Sequence, residues 1–272
     1  MGDYSLNPYI GCSFNCEYCY INGSKYVEST DSFYIKSNAL QMFKNQLKRK
    51  AKASERAVIL FGSATDPYMN IEKELLLTRN LLNVANRFKF PVHIVTKSDL
   101  VLRDIEIFKK ININGVLPKD LTFLDSKVMI TFSFSSLDNE IAKIFEPNAP
   151  SPKKRLKAIK ILKDEGFLVG ASLMPLLPFI SDSDEDIDKI FSVLNKIGVD
   201  YIFGGPLTLF GESNNDSKIK YYKIIDKNFP NISEATKQIF KEKEYPNINY
   251  QKNVYKKLGK ACNKYKIKNS II

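Results

Sequence analysis

The chain has 272 residues, 44% hydrophobic and 26% charged, with 41 basic against 30 acidic side chains and a net charge of +11. These proportions exclude a disordered tail, a collagen-like fibre and a disulfide-stapled miniprotein, and the length suffices for one α/β barrel or two modest domains. No apolar run reaches the ~20 residues of a membrane span, and Met1-Gly2-Asp3-Tyr4 opens no signal-peptide apolar region, so a cytoplasmic protein with no membrane partner is expected.

The predicted elements alternate. A strand near Tyr4–Pro8 precedes a helix over Asn38–Lys52, whose run Lys44–Lys52 reads as a solvated face. Ala57–Gly62 (AVILFG) is a continuous apolar run ending in glycine, as a strand buried on both faces requires. Glu72–Phe88 has helical spacing, with Leu75, Leu76, Leu82 and Ala85 as its apolar positions. The strand Val92–Thr96 follows, then a helix over Leu102–Lys109 with Ser98 or Asp99 as cap. Lys127–Ser135 is the next strand. Ser151-Pro152 opens a helix that Gly166 closes. Leu168–Met174 is a strand, Ser183–Ile197 a helix and Asp200–Gly204 a strand. About six βα units result, with parallel strands and crossover helices. Six is too few for a closed eight-stranded barrel, so the expected fold is α/β, a partial (β/α)6 barrel. From about Gly211 onward only helices are predicted, near 218–228, 233–243 and 249–266. The expected division is a core over 1–211 and a C-terminal helical extension over 212–272.

Of the four cysteines, Cys12, Cys16 and Cys19 fall within eight residues, spaced C-x3-C-x2-C, while Cys262 stands alone and reads as an ordinary thiol. Three clustered thiols in a reducing compartment point to a soft metal centre. Three thiolates can hold three irons of a 4Fe–4S cube and leave the fourth iron open, and an open position distinguishes a catalytic metal site from a structural one. A zinc staple needs a fourth ligand nearby; the single histidine, His93, reads instead as a core residue of its strand. Of the 41 basic residues only six are arginine, so the charge permits a nucleic-acid partner through phosphates without pointing to base-reading forks. Two other classes stay open on these residues alone: a zinc-stapled nucleic-acid-binding protein and a non-catalytic cluster-binding scaffold.

The segment Asn7–Tyr20, NPYIGCSFNCEYCY, resembles the radical S-adenosylmethionine superfamily, and its wider frame is similar to the spore photoproduct lyase-like (DNA repair photolyase-related) branch. The resemblance extends through Thr65–Tyr68 (TDPY), Thr96–Ile105 (TKSDLVLRDI), Glu146–Arg155 and Pro175–Asp182, covering about residues 4–210. It implies a 4Fe–4S cluster on Cys12, Cys16 and Cys19. It implies S-adenosyl-L-methionine chelated at the open iron, cleaved to a 5′-deoxyadenosyl radical that abstracts hydrogen from a substrate. An external one-electron donor, flavodoxin- or ferredoxin-like, would then supply the electron. Phe14 and Ile10 depart from the branch, and Phe61, Gly62 and Ser63 offer no cysteine where spore photoproduct lyase carries its hydrogen donor. The radical-generating half is thus implied, with the substrate unidentified and a nucleic acid permitted.

The resemblance also suggests cofactor-binding residues, each with a plainer alternative. The turn with Ser63 and Asp66 meets the methionyl group or simply precedes a helix. Lys97 neutralises the methionyl carboxylate or snorkels at a strand end. Ser133 and Ser135 share one strand face by the period of two, and with Ser172 they bond the cofactor or fill the barrel. Tyr18 and Tyr20 flank the third cysteine and pack on cluster or adenine, or relay a radical. Arg155, a cation in the first turn of its helix, opposes the helix dipole; it answers to an anionic partner, to Glu146 or to solvent.

Overall fold

The structure, a computed structural model, describes residues 4–24, 33–241 and 243–271. Met1–Asp3, part of the N-terminal reading above, lie outside the described residues. In chain order the elements are β1 (Tyr4–Leu6), β2 (Tyr9–Ile10), β3 (Tyr34–Ile35), α1 (Ala39–Lys52), β4 (Ile59–Phe61), α2 (Glu72–Leu75), α3 (Leu77–Arg87), β5 (Val92–Thr96), α4 (Ile105–Asn114) and β6 (Val128–Ser133). These are followed by α5 (Asn139–Phe145), α6 (Pro152–Asp164), β7 (Leu168–Leu176), α7 (Asp184–Ile197), β8 (Tyr201–Pro206), α8 (Ser217–Asn228), α9 (Pro230–Phe240) and α10 (Ile248–Tyr265).

One six-stranded sheet runs in the order β1-β4-β5-β6-β7-β8, and β2 and β3 form a separate antiparallel pair. The first four strands of the large sheet pair in parallel, with Tyr4 opposite Ile59, Phe61 opposite Ile94 and Thr96 opposite Phe132. All six residues of β6 are buried, the signature of a strand covered on both faces. The six parallel strands with their intervening helices are the α/β partial-barrel arrangement that the alternation predicts.

The chain divides into two compact units. The first comprises residues 1–13, 33–132 and 157–170. Its helices follow a simple rule: α1 buries Ala39, Phe43 and Leu47 at four-residue steps, while Lys48, Arg49 and Lys52 stay exposed, as the solvated face requires. Helix α3 buries Leu81, Leu82 and Ala85. Each such fully buried Leu or Phe contributes about 1.5–3 kcal/mol of transfer free energy. The single helix predicted over Glu72–Phe88 is broken, because Leu76 adopts a left-handed conformation (φ +51°) between α2 and α3. Ser98, not Asp99, supplies the cap after β5: its hydroxyl accepts from Leu100 N at 3.2 Å, and a 3-10 turn over Asp99–Asp104 leads into α4.

The second unit comprises 14–32, 133–156 and 171–272. Here α10 packs on α7 and β8, burying Val254, Leu258, Ala261 and Cys262. Gly204 permits this approach, since a Cβ there would stand 3.0 Å from Leu173 Cβ and 3.1 Å from Leu258 Cδ1. Burial pushes the Cys262 thiol up, as suits an unreactive core cysteine. Among the described residues no helix is long and apolar enough to cross a membrane.

Candidate active site

The cysteine segment lies beyond β2. Cys12 belongs to the first unit, where the amide of the following residue, Ser13, donates to Met69 Sδ at 3.0 Å. Cys16 and Cys19 belong to the second. Cys19 N donates to the Cys16 carbonyl at 3.1 Å and Asn22 N to the Cys19 carbonyl at 2.9 Å, so the C-x2-C half is wound into two successive turns. Asn15 supplies the left-handed residue (φ +47°) that enters them. Cys16 is buried, and Cys12 and Cys19 are half-buried. Among the described residues no three His, Cys, Asp or Glu side chains are grouped to hold a single metal ion. A cube is a different receptor: each thiolate takes its own iron, so the ligands need not meet at one point. As a donor set, three thiols on one short loop fit such a group.

In the first unit, the end of β4 forms a cradle. Gly62 has φ +89°, and a Cβ there would lie 2.2 Å from the Val95 carbonyl oxygen, so only glycine fits. Asn7, within the NPY stretch, braces the turn. Its Oδ1 accepts from Ala64 N (3.0 Å) and Thr65 N (3.4 Å), and its Nδ2 donates to Ser63 Oγ (2.8 Å). Ser63 also meets the Ser5 hydroxyl. Thr65 Oγ1 is buried with no hydrogen-bond partner among the described residues, a polar atom left for a ligand to satisfy. Asp66 is partly buried and accepts from Tyr68 N (2.9 Å), Thr96 Oγ1 (2.7 Å) and Lys97 N (2.7 Å). Desolvation raises its pKa above the ordinary carboxylate value, against those hydrogen bonds. Asp66 therefore rivets the turn to the end of β5 and sets the backbone at Lys97, which is half-buried. Sequence reasoning missed Asn7 and Thr65; their places inside NPY and TDPY were the available signal. His93 is buried in β5 with Nε2 2.7 Å from Thr131 Oγ1, as a core histidine.

In the second unit, Ser133, Ser135 and Ser172 are all buried. Phe134 N donates to the Ser172 carbonyl at 2.8 Å, and Ser181 Oγ to the Ser135 carbonyl at 2.6 Å. Ser135 Oγ donates to Glu146 Oε1 at 2.8 Å, and Tyr18 donates its phenol to the same oxygen. Arg155, 1% exposed, pairs with Glu146 Oε2 and donates to the Ser133 carbonyl (2.9 Å) and the Pro150 carbonyl (2.8 Å). Of the three readings of Arg155, the Glu146 partner is the one found, and the solvated surface arginine is ruled out by its burial. Burial holds the Tyr18 phenol well above its ordinary pKa, followed by the charge of Glu146, so it stays a donor. Tyr18, Ser133 and Ser135 are thus brought into one network. Tyr20 is 40% exposed.

A model of the Radical SAM superfamily matches residues 6–194. The chain belongs to the Radical SAM superfamily. An uncharacterised protein of Methanocaldococcus jannaschii is 32% identical over 185 residues, a match covering 66% of this chain and 62% of that protein. The chain thus spans less than two thirds of that relative's length. Among solved structures, a double mutant of spore photoproduct lyase with bound AdoMet and dinucleoside spore photoproduct superposes with a TM-score of 0.63 at 17% identity, covering 97% of this chain and 74% of the lyase. Streptococcus suis SuiB bound to the precursor peptide SuiA matches with a TM-score of 0.55 at 15% identity, over 85% of this chain and 46% of SuiB. Both are likenesses of fold, and they agree with the partial barrel of this Radical SAM chain.

Proposed function

We propose that this chain is a radical S-adenosylmethionine enzyme in which Cys12, Cys16 and Cys19 hold a 4Fe–4S cluster, acting in the cytoplasm on a nucleic-acid substrate. The observation that carries the reading is the C-x3-C-x2-C triplet inside the matched region, because three thiolates leave one iron of the cube open for a reactant. When bound, the cluster and S-adenosylmethionine supply one-electron cleavage chemistry and hydrogen-atom abstraction.

The chain's own residues bind, orient and shield. The turn Gly62–Thr65, braced by Asn7, offers backbone and the Thr65 hydroxyl to the methionyl group, with Ser63 beside it. Lys97 neutralises the methionyl carboxylate, and Asp66 fixes the backbone from which Lys97 extends. Ser133, Ser135 and Ser172 supply small polar groups for ribose or carboxylate, and Tyr18 and Tyr20 pack beside the cluster. Residues 1–211 carry this chemistry, with 212–272 as a helical extension. Cys262 is the one cysteine outside the triplet, so a flavodoxin- or ferredoxin-like protein serves as external electron donor. The net charge of +11 supports an anionic substrate.

The test is anaerobic reconstitution. The expected result is a brown protein with about four irons per chain that forms 5′-deoxyadenosine with dithionite, faster when nucleic acid is added and less so as salt rises. Cys16→Ala should lose the cluster. A fully iron-loaded protein that never cleaves S-adenosylmethionine, or a colourless protein with one zinc, overturns the reading.

A further inference from the structure

We propose that Tyr18, Glu146 and Arg155 are positioning residues that fix the Cys16–Cys19 turn for its metal group; this rests on the cluster reading above. Two consecutive residues of the turn are tied to two consecutive residues at the end of α5. Glu17 N donates to the Phe145 carbonyl at 2.9 Å, and the Tyr18 phenol donates to the Glu146 carboxylate. The anchor is itself held from three sides. One Glu146 oxygen accepts from Ser135, the other from Arg155, and the Arg155 guanidinium is shared with the Ser133 and Pro150 carbonyls. Glu146 is 2% exposed and Arg155 1%.

Stability alone does not account for this arrangement. Desolvating a carboxylate and a guanidinium is so unfavourable that an apolar pair of equal volume is often as stable or more so. The helix bearing Arg155 gains nothing either, since a cation in its first turn opposes the dipole. What the buried pair does provide is direction. A charged acceptor locked by a three-point guanidinium fixes the Tyr18 hydroxyl, and with it the residue that directly precedes Cys19. Groups outside a metal's ligand shell commonly act in this way, by orienting the ligands. The sequence separation of 128 between Tyr18 and Glu146 shows that the fold holds the turn in addition to the turn's own local bonds.

Tyr18→Phe keeps the ring and its packing and removes one hydroxyl. In the metal-free protein, hydrogen exchange of amides 16–22 should accelerate by up to about tenfold, as the loss of one hydrogen bond from the turn allows, with the amides of β5 unchanged. In the reconstituted protein, iron loss to a chelator should be faster by a similar factor, and the electron paramagnetic resonance lines of the reduced cluster should broaden. Glu146→Gln, which retains an acceptor for Tyr18 but weakens the Arg155 lock, should give a smaller change of the same sign. Unchanged exchange and iron loss in Tyr18→Phe overturn the proposal, as does acceleration spread evenly over the chain, which marks a merely structural role. If the wild-type protein takes up no cluster, the functional reading fails, and the exchange comparison in the metal-free proteins still decides the clamp.

Discussion

Each compact unit buries a tyrosine–glutamate–arginine network, one starting from Tyr9 just before Cys12 and the other from Tyr18 between Cys16 and Cys19. In the first unit Tyr9 donates to Glu72, which also accepts from Thr78 N at 2.7 Å and pairs with Arg103 at 3.2 Å. Arg103 is shared with Asp104 at 2.9 Å, and Arg79 approaches Asp104 at 3.5 Å. In the second unit Tyr18 donates to Glu146, which pairs with Arg155. The carboxylates are sealed in both, but the Arg103 side chain is 17% exposed and the Arg155 side chain 1%. The difference teaches that the same three residue types make either a solvent-edged charge cluster or a closed clamp, depending on whether water reaches the cation.

The sharpest way to break that comparison is to remove the two arginines in turn. Arg155→Met leaves Glu146 buried without its cation and should cost about 3–5 kcal/mol. Arg103→Met opens a place that water already borders, and Asp104 keeps Arg79, so a loss of about 2–3 kcal/mol is expected. Urea unfolding with unchanged m-values measures both, and equal losses would erase the distinction.

A second contrast uses one substitution in each unit. Tyr68 donates to Asp104 Oδ2 at 3.0 Å, whereas the Tyr221 hydroxyl is buried with no hydrogen-bond partner among the described residues. Tyr68→Phe should therefore cost about 1.5–2 kcal/mol, and Tyr221→Phe should stabilise by about 1 kcal/mol. Burial, followed by nearby carboxylate charge, holds both phenols well above their ordinary pKa. The unfolded chain ionises them from about pH 10 while the folded chain does not. Their contribution is thus complete below about pH 10 and falls with rising pH by about 1.4 kcal/mol per unit per tyrosine. Each Phe variant should remove one such increment from the alkaline slope; an unchanged slope in both would show that the phenols ionise in the folded state.

The smallest effect is expected at the surface of the second unit. Lys264 bonds to Asp188 and thereby lowers the Asp188 pKa. That contribution is present above the ordinary carboxylate value and is lost as pH falls through the lowered one. Lys264→Ala should leave neutral-pH stability unchanged within error, with the Asp188 carboxyl titrating higher in carbon-13 NMR.

Much of the fold was legible because strands and helices carry their signals locally. The buried strands Ile59–Phe61, Val92–Thr96 and Val128–Ser133 coincide with the apolar runs, and α6 begins at Pro152 as the Ser-Pro start requires. The break at Leu76 and the short helix α5 were missed. A leucine in the left-handed region is set by packing against local preference, and seven residues are too few to show a period. At the site, the spacing of the cysteines was readable, while the role of Asp66 as a backbone rivet was not.

By itself the sequence determined the class of the molecule: alternating strands and helices, a helical C-terminal end, and three thiols at a spacing that suits an iron–sulfur group. Only the tertiary structure decided which polar groups meet, sending Tyr18 to Glu146 across 128 residues, Arg155 into the core and Asp66 onto the backbone of Lys97. Periodicity and ligand spacing act over a few residues and are written locally. The pairing of buried charges is set by desolvation, which makes each group take whichever partner the fold brings within reach.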